Sequence, residues 1–408
     1  MSRVLMSGVL IVGGGIAGVS TAAALRAGGF DGDVTLVDEG EFPYDRPPLS
    51  KEYLAGARDV KQLALQPPEW YDEQRIQLIN RTRATALHGA EGAVELDSGA
   101  VLRADRVVLA TGGHAARPPI PGADNDRVHV LRTLADADRL RAALNPGARV
   151  LVVGAGLIGA ETASTMTGLG CEVVIADPEA RPLEPVLGPE FAAWLHGQHA
   201  VRGIETVQQT ITSFGKQPNG IRAYFGGGRA PEDFDAVLLG VGMVPRVELA
   251  KSAGLVVERG IVVDARHASS HPNVLVVGDP ARMRVSGVLH PSAEHWDAAQ
   301  VDGARAAAAI LGTAPPPASA PWFWTDRHGR HIEAVGRLAE AERAVLRGAF
   351  ADPSFSMFGL VGDHVVAAAS VDEPNAVRTA RRLIDRRIPV DASRLADTGT
   401  NLRTLLRG

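Results

Sequence analysis

The sequence predicts an α/β fold in which one strand–turn–helix unit occurs twice, followed by a small α+β domain. Runs rich in Val, Ile and Leu alternate with helix-like segments through about the first 310 residues, as in parallel sheets covered by helices. The segments VLIVGGGIAGVSTAAALRAGG and RVLVVGAGLIGAETASTMTGLG share the same order of strand, glycine turn and helix. Residues 313–321, TAPPPASAP, cannot continue a helix or pair in a sheet, so they predict a linker before the last domain.

Composition limits the possible functions. A chain of 408 residues exceeds one ordinary core, and 45% hydrophobic with 22% charged residues is typical of a globular protein. A net charge of -5 argues against a nucleic-acid-binding surface. The N-terminal MSRVLMSGVLIVGGG predicts a buried strand, and the sequence has no uninterrupted apolar run of about 18 residues. We therefore expect no membrane span, no nucleic-acid partner and a cytoplasmic location.

The first glycine motif, Gly13-x-Gly15-x-x-Gly18, follows the strand VLIV and opens a helix. Its glycines permit a tight turn, close approach of the backbone to a pyrophosphate, and contact between helix and strand. The start of the helix offers unpaired amides to phosphates. Glu39 lies 21 residues beyond Gly18, where an acid can accept hydrogen bonds from a ribose.

The second motif, Gly154-x-Gly156-x-x-Gly159, follows RVLVV, and Asp177 closes the strand EVVIAD. A carboxylate at Asp177 favours the unphosphorylated ribose of NADH over that of NADPH. One such motif is often an ordinary turn, but two complete copies predict two Rossmann-like dinucleotide sites. Two dinucleotides in one chain indicate hydride transfer between them.

Two further strand ends carry a family resemblance. VVLATGG at 107–113 and VLVVGDPA at 274–281 resemble the ATG and GD signatures of the flavoproteins that are related to disulfide reductases and bind two dinucleotides. The resemblance implies a glutathione-reductase-like arrangement, with FAD at the N-terminal motif, NADH at the second, and Asp279 on the ribityl chain of FAD.

The string PYDRPPLSK at 43–51 resembles more narrowly the ferredoxin reductases of oxygenase systems, which include the putidaredoxin and biphenyl dioxygenase reductases. In that family the arginine and lysine lie against FAD, which implies this role for Arg46 and Lys51. A nearby positive charge favours anionic reduced flavin.

Other matches extend the resemblance along the chain. They are LRTLADADRL with Arg132, GVGMVP from Gly240, FWTDRHG from Phe323, and AEHWDAAQ with Glu294 and Trp296. The resemblance implies an FAD contact at Arg132, a ring that covers the flavin at Trp296, and a position near the nicotinamide for Glu161. An ordinary core or interface role stays open for Trp296 and Trp324, and a helix-end acid for Glu161.

The predicted site therefore contains a catalytic group and a larger cofactor-binding group, and no metal. The catalytic group is Glu161, Lys51 and Trp296. The cofactor-binding group is Gly13, Gly15, Ile16, Ala17, Gly18, Glu39, Arg46, Lys51, Ala110, Thr111, Gly112, Arg132, Gly154, Gly156, Leu157, Ile158, Gly159, Glu161, Asp177, Gly242, Gly278, Asp279, Glu294, His295 and Trp296.

We predict three domains. Residues 1–116 and 244–314 form the FAD-binding domain, residues 117–243 the NADH-binding domain, and residues 315–408 the C-terminal α+β domain.

The route of the electrons follows from the cysteine count. Cys171 is the single cysteine of the chain, so the thiol pair of the disulfide reductases is excluded, and Cys171 is interpreted as a small packed residue. We expect reduced flavin to pass single electrons to an iron-sulfur ferredoxin, [2Fe–2S] or similar, that serves a haem monooxygenase or a ring-hydroxylating dioxygenase. Either a monomer or a homodimer is compatible with the sequence.

A helix face offers a docking hypothesis. The arginines of AVRTARRLIDRR recur along one predicted helix and its end, and they could attract an acidic ferredoxin, although a solvated helix face is the favoured interpretation of each arginine taken singly. They are Arg378, Arg381, Arg382, Arg386 and Arg387.

Departures from the family pattern leave alternatives open. Asp177 stands for a usual glutamate, Pro185 for a common arginine, Arg246 for an asparagine, and Ser292 and His295 are also unusual. The alternatives are an NADH oxidase, a rubredoxin reductase, a flavoprotein associated with nitrite reductase, or a non-catalytic NADH sensor resembling apoptosis-inducing factor.

Overall fold

The computed structural model describes residues 8–407. They divide into unit 1, residues 8–46, 60–114 and 243–317, and unit 2, residues 47–59, 115–242 and 318–407. The part of the N-terminal strand prediction that falls on residues 1–7 lies outside the described residues.

The strands are β1 Gly8–Val12, β2 Asp33–Val37, β3 Ile76–Ile79, β4 Ala84–His88, β5 Ala93–Leu96, β6 Val101–Arg103, β7 Arg106–Leu109, β8 Gly113–Ala115, β9 Val128–Val130, β10 Arg149–Val153, β11 Glu172–Ala176, β12 Glu205–Val207, β13 Ile211–Gln217, β14 Gly220–Phe225, β15 Glu232–Phe234, β16 Ala236–Leu239, β17 Met243–Pro245, β18 Ile261–Val263, β19 Val274–Val276, β20 Ala281–Val285, β21 Val288–Leu289, β22 Trp322–Arg327, β23 Arg330–Gly336, β24 Arg343–Arg347, β25 Phe355–Val361 and β26 His364–Val371.

The α-helices are α1 Ile16–Ala27, α2 Pro68–Glu73, α3 Leu134–Ala143, α4 Leu157–Gly168, α5 Glu184–Val201, α6 Glu248–Ser252, α7 Trp296–Leu311, α8 Pro374–Arg386 and α9 Ala392–Ala396.

The centre of unit 1 is a five-stranded sheet in the order β19-β7-β1-β2-β3, with every neighbouring pair parallel. All five residues of β1 are buried, as expected for a parallel strand covered on both faces. Helices α1 and α7 cross closely at Gly303, where an added Cβ would lie 2.8 Å from the Ala17 carbonyl oxygen. This crossing fixes the position of α1, and hence of the glycine turn before it.

Unit 2 repeats this plan with a parallel sheet in the order β12-β11-β10-β16-β9. Helix α4 follows β10 as α1 follows β1, which confirms the predicted duplication. The sole cysteine, Cys171, lies just before β11 and is buried, and burial raises the pKa of its thiol. A packed thiol of this kind is largely protonated and unreactive.

The C-terminal part of unit 2 is an antiparallel sheet in the order β22-β23-β26-β25-β24. One face packs on α5 through Phe191, Leu195 and Phe355, and the other packs on α8 through Val377 and Leu383. Residues 313–321 before it form neither helix nor strand. The α/β fold with two Rossmann-like sheets and a small C-terminal α+β domain is therefore confirmed, while the exact domain boundaries stay a prediction.

Within residues 8–407, none of the helices has both the length and the apolar character needed to cross a bilayer.

Candidate functional site

The first glycine turn connects β1 to α1 and requires glycine at two positions. Gly13 has φ +114°, and a Cβ there would lie 2.2 Å from the Ala110 carbonyl oxygen. A Cβ on Gly18 would lie 2.0 Å from the Gly13 carbonyl oxygen, so α1 touches the turn directly. Both contacts are far below a van der Waals distance, which explains the first and third glycines of the motif.

Gly15, unlike Gly13 and Gly18, has open space where a side chain would lie. It precedes α1 in an extended conformation with φ -72°, and a Cβ on it would meet no described atom within 4 Å. No side chain of the described chain caps the start of α1, where Ile16 and Ala17 begin the helix. Free amides beside open space fit the pyrophosphate of a dinucleotide, as the sequence predicts for FAD.

Two adjacent acids follow β2 and have different contacts. Asp38 Oδ2 accepts a hydrogen bond from the Gly14 amide at 2.5 Å, and its Oδ1 accepts one from the Gly40 amide at 2.7 Å. Glu39 instead pairs with Arg246 and, at 3.4 Å, with Arg83. Burial opposes ionisation of Glu39, but the hydrogen bond from Arg246 lowers its pKa. The contact of Glu39 with a ribose stays a prediction. Asp38, which the sequence did not predict as a site residue, supports the turn through these hydrogen bonds.

The ends of β7 and β19 lie beside the first turn. Leu109 pairs with both Val12 and Val276 across the parallel sheet, so Ala110, Thr111, Gly112 and Gly278 follow at the same edge. The Ala110 amide donates to the Val12 carbonyl at 2.8 Å. This edge is where parallel α/β sheets bind ligands, in agreement with the predicted ATG and GD signatures.

A partly buried acid, Asp302, supports the GD turn. The Gly278 amide donates to Asp302 Oδ2 at 3.2 Å, and His267 Nε2 lies 3.3 Å from Asp302 Oδ1. Burial raises the pKa of Asp302. Asp302 thereby fixes the turn that carries Asp279, another support that no sequence motif indicated.

The segment of Glu294, His295 and Trp296 leads into α7. Trp296 is the first residue of α7, and its Nε1 donates to Asp45 Oδ1 at 2.9 Å, which ties the helix to the PYDR part of the string PYDRPPLSK. Glu294 Oε1 lies 3.3 Å from the Arg282 guanidinium. Burial lowers the pKa of His295, so its imidazole is neutral at pH 7.

Arg46 lies next to Asp45, with its guanidinium 5.7 Å from the centre of the Tyr44 ring. This segment, the two turns above and α7 all belong to unit 1, which therefore collects most of the residues predicted for FAD.

The second glycine turn, in unit 2, repeats the geometry of the first. Gly154 has φ +97°, and a Cβ there would lie 2.5 Å from the Gly240 carbonyl oxygen. A Cβ on Gly159 would lie 1.9 Å from the Gly154 carbonyl oxygen, whereas one on Gly156 would meet no described atom within 4 Å. Gly242, with φ +102°, also faces open space. The turn fits a second pyrophosphate.

Asp177 supports this second turn. Its Oδ2 accepts from the Ala155 amide at 2.7 Å and its Oδ1 from the Glu179 amide at 2.8 Å. The structural counterpart of Asp177 in unit 1 is thus Asp38, since each acid follows its strand directly and binds the amide after the first glycine. At the start of α4, Leu157 packs toward the C-terminal sheet and Ile158 is 43% exposed.

Lys51 and Glu161 lie together in unit 2, around the second turn of α4. Glu161 Oε2 accepts from Ser50 Oγ at 2.6 Å, and its Oε1 accepts from the Asp326 amide at 3.1 Å. Lys51 Nζ lies 3.9 Å from Glu161 Oε1, 2.7 Å from Asp326 Oδ2 and 5.5 Å from the centre of the Trp324 ring. The family resemblance predicts that Lys51 and Glu161 both lie near the redox centre, but nothing in the sequence indicates that they contact Asp326.

The remaining predicted contact, Arg132, precedes α3 in unit 2. Its amide donates to Asp136 Oδ2 at 3.2 Å, as part of the hydrogen bonding around the capping box of α3, Thr133 and Asp136. The structure therefore fixes the backbone at Arg132, while the predicted contact of its side chain with FAD stays a prediction.

Comparison with sequence families covers most of the chain. Residues 7–303 match the pyridine nucleotide-disulphide oxidoreductase model, and residues 322–406 match the reductase C-terminal model.

Two relatives match along nearly their whole length. Putidaredoxin reductase of Pseudomonas putida is 36% identical, with 98% of this chain and 96% of the relative covered. The ferredoxin–NAD(+) reductase component of the anthranilate 1,2-dioxygenase system of Burkholderia cepacia is 37% identical, with 97% and 98% covered.

Solved structures are also similar to this chain over nearly its whole length. The reductase in the covalent putidaredoxin reductase–putidaredoxin complex superposes with a TM-score of 0.90 at 34% identity, covering 98% of both chains. The water-forming NADH oxidase of Lactobacillus brevis has a TM-score of 0.83 at 20% identity and covers 98% of this chain and 97% of its own, which shows a common fold alone.

Proposed function

Because this chain belongs to the pyridine nucleotide-disulphide oxidoreductase family, and its relatives are ferredoxin–NAD(+) reductases, we propose that it passes electrons from NADH through FAD to an iron-sulfur ferredoxin of an oxygenase system. The observation that carries this proposal is the pair of glycine turns, open at Gly15 and Gly156, in a chain with one cysteine. Two dinucleotides can bind, and no thiol pair is present to take the electrons.

Each cofactor has its own binding elements. The turn at Gly15 and the start of α1 bind the pyrophosphate of FAD, and the turn at Gly156 and the start of α4 bind that of NADH. FAD held at the first turn would supply the chemistry that takes a hydride from NADH and gives up electrons singly, which suits a one-electron iron-sulfur acceptor. Asp177 holds the NADH turn and disfavours a phosphorylated ribose.

The residues around the redox centre bind and position rather than exchange protons. Lys51 would supply a positive charge that favours the anionic form of a reduced flavin, and Glu161 orients Lys51 and accepts from the Asp326 amide. The indole of Trp296, held by Asp45, would cover the flavin and exclude water. These roles rest on the family resemblance and on the contacts that restrain each side chain.

The function is tested by mixing the FAD-loaded protein with NADH and a panel of ferredoxins from the same cell, and by following ferredoxin reduction spectrally. We expect rapid reduction of at least one ferredoxin and slow consumption of oxygen without it. Steady oxygen reduction with every ferredoxin inert would instead indicate an NADH oxidase. A long-lived charge-transfer complex without turnover would indicate an NADH sensor.

We also propose that an acidic ferredoxin docks on α8. Arg378, Arg382 and Arg386 recur every four residues and are exposed, while the opposite face of the helix is buried. Arg381 instead donates to Ser319 Oγ at 2.8 Å, and Arg387 ends the helix with φ +50°. Arg378, Arg382 and Arg386 thus form a cationic row along the exposed face of α8, which charge complementarity suits to an acidic partner.

Reversing the charge of this row is expected to weaken docking. In the variant Arg378→Glu, Arg382→Glu, Arg386→Glu, we expect the KM for ferredoxin to rise about tenfold at low salt, with a weaker salt dependence. NADH-dependent reduction of ferricyanide should be unchanged. The matched control reverses three exposed lysines elsewhere, Lys61, Lys216 and Lys251. Equal ferredoxin kinetics in both variants would remove α8 from the docking surface.

A cytoplasmic location belongs to the same proposal, because a chain with one buried, unpaired cysteine suits a reducing compartment.

A further inference from the structure

The hairpin β22–β23 presents a row of polar and aromatic side chains on one face. Along β22, Phe323, Thr325 and Arg327 are buried, while Trp322, Trp324 and Asp326 alternate with them and lie on the other face. The Trp322 and Trp324 rings stack with centroids 5.1 Å apart. The face therefore combines a flat aromatic surface with a carboxylate at its end.

Lys51 lies against this face. Its side chain is 10% exposed, and its closest carboxylate oxygen is Oδ2 of Asp326, at 2.7 Å, compared with 3.9 Å for Oε1 of Glu161. Asp326 is separated from Lys51 by 275 residues and lies on the C-terminal sheet. A buried ammonium needs such partners, because leaving it unpaired away from water is costly.

Asp326 is itself held from the neighbouring strand. His331 is its direct cross-strand partner, and His331 Nδ1 lies 2.5 Å from Asp326 Oδ1. His331 Nε2 lies 2.9 Å from Glu333 Oε1, and Trp322 Nε1 donates to Glu333 Oε2 at 3.3 Å. Each oxygen of Asp326 thus has one cationic partner, Lys51 on Oδ2 and His331 on Oδ1.

We propose that Asp326 and His331 are positioning residues that hold the Lys51 ammonium over Trp324 and beside Glu161. The proposal deepens the proposed function and rests on it, since Lys51 is the cation assigned to the flavin. The C-terminal sheet thereby fixes the position of the positive charge that the family resemblance assigns to the flavin.

The charges around His331 explain why it acts as a cation. On the same strand as His331, Glu333 accepts from His331 Nε2, and Arg330 is the residue before His331. From β22, Asp326 accepts from His331 Nδ1. After β26, Asp372 accepts from the His331 amide at 2.8 Å and pairs with Arg330 at 2.7 Å. Beyond Asp326 lie Lys51 and Glu161.

These contacts give the network a defined pH range. The hydrogen bond to Asp326, together with that to Glu333, raises the pKa of His331 to about 9. Burial opposes ionisation of Asp326, but hydrogen bonds from His331 and Lys51 lower its pKa to about 2. Because the pKa of His331 is raised on folding, its stabilising contribution is complete below about pH 6.5 and is lost as the pH rises through 9.

The experiment compares wild type with His331→Gln and Asp326→Asn, with His364→Gln as control. His364 is a half-exposed histidine of the same sheet that pairs with Asp363. Two quantities are measured on the FAD-loaded protein between pH 6 and 10. They are the rate of flavin reduction by NADH in a stopped-flow instrument, and the midpoint temperature of thermal unfolding.

We expect the wild-type rate to fall as the pH rises through about 9 and this fall to be absent in His331→Gln. At pH 7.5 both network variants should reduce flavin about tenfold more slowly, because small displacements of a positioning group carry penalties of this order or larger. His364→Gln should behave as wild type. The unfolding midpoint of His331→Gln should be below that of wild type at pH 7, and the difference should disappear by pH 10.

A purely structural role would change the unfolding midpoint but leave the pH profile of the hydride step intact. A His331→Gln variant with the wild-type rate and the same fall near pH 9 would therefore overturn the proposal. If NADH failed to reduce the flavin in wild type at every pH, the proposed function would fail as well. The difference in unfolding midpoint between wild type and His331→Gln would still show in that case whether the ion-pair network exists.

Discussion

Gly156→Val is expected to slow reduction of the bound flavin by NADH strongly while FAD stays bound. Gly156 has an extended backbone with φ -65°, and a Cβ there meets no described atom within 4 Å, so valine fits the fold. The space it fills is the one assigned to the pyrophosphate of NADH. We expect the second-order rate of flavin reduction to fall by about 100-fold or more, because close approach of the backbone to the pyrophosphate is lost. Stopped-flow absorbance at saturating and limiting NADH measures this effect.

Gly15→Val is the matched control in the other turn. Gly15 has the same extended conformation and the same open surroundings, so its variant should also fold. It should be purified without FAD and without the yellow colour, whereas Gly156→Val should stay yellow. If both variants kept FAD and reacted with NADH as wild type does, the turns would not be the dinucleotide sites.

Asp177→Asn is expected to shift the preference between NADH and NADPH. The carboxylate follows β11 directly, next to the second turn, where it would repel a phosphate on the ribose and accept hydrogen bonds from a free 2′-hydroxyl. Asparagine has the same size and can still accept from the Ala155 amide through its oxygen. We expect the ratio of kcat/KM for NADH to that for NADPH to fall about 100-fold, since loss of the carboxylate weakens the hydrogen bonding to the 2′-hydroxyl of NADH and also removes the repulsion of the phosphate of NADPH.

Asp38→Asn provides the control for this prediction. Asp38 has the same place in the first turn, where it accepts from the Gly14 amide. Its variant should alter FAD retention and leave the nicotinamide preference as in wild type. A preference unchanged in Asp177→Asn, or changed equally in Asp38→Asn, would contradict the assignment of NADH to the second turn.

The two acids after β2 show that the number of residues between a glycine motif and an acid does not identify the acid that supports the turn. Spacing from Gly18 favoured Glu39, but the residue that binds the turn amide is Asp38, because it follows β2 as Asp177 follows β11. Aligning the strand DVTLVD with EVVIAD, instead of counting from the last glycine, finds Asp38 as the counterpart of Asp177. Glu39 pairs with Arg246, the residue noted as a departure from the family asparagine, so the unusual arginine has a defined partner.

The network around Lys51 could not be found in the same way. Lys51, Glu161, Asp326 and His331 lie in three distant segments, and each has an ordinary surface or helix-end interpretation when read alone. Asp326 lies in FWTDRHG, which carries the family resemblance, and His331 lies two residues beyond it. The spacing between them does not indicate a charge pair. Their contact depends on the tight β22–β23 hairpin and on the packing of β22 beside α4.

The sequence alone determined the duplicated strand–turn–helix units, the glycines at each turn, the linker and the absence of a thiol pair. These features depend on short-range chemistry, since backbone conformation, hydrophobic periodicity and residue counts are local or compositional. The tertiary structure decided which carboxylate supports each turn and which side chains restrain Lys51, the lysine of PYDRPPLSK. The reason is physical: an ion pair between residues 275 positions apart depends on how packed elements bring them together, which no local pattern encodes.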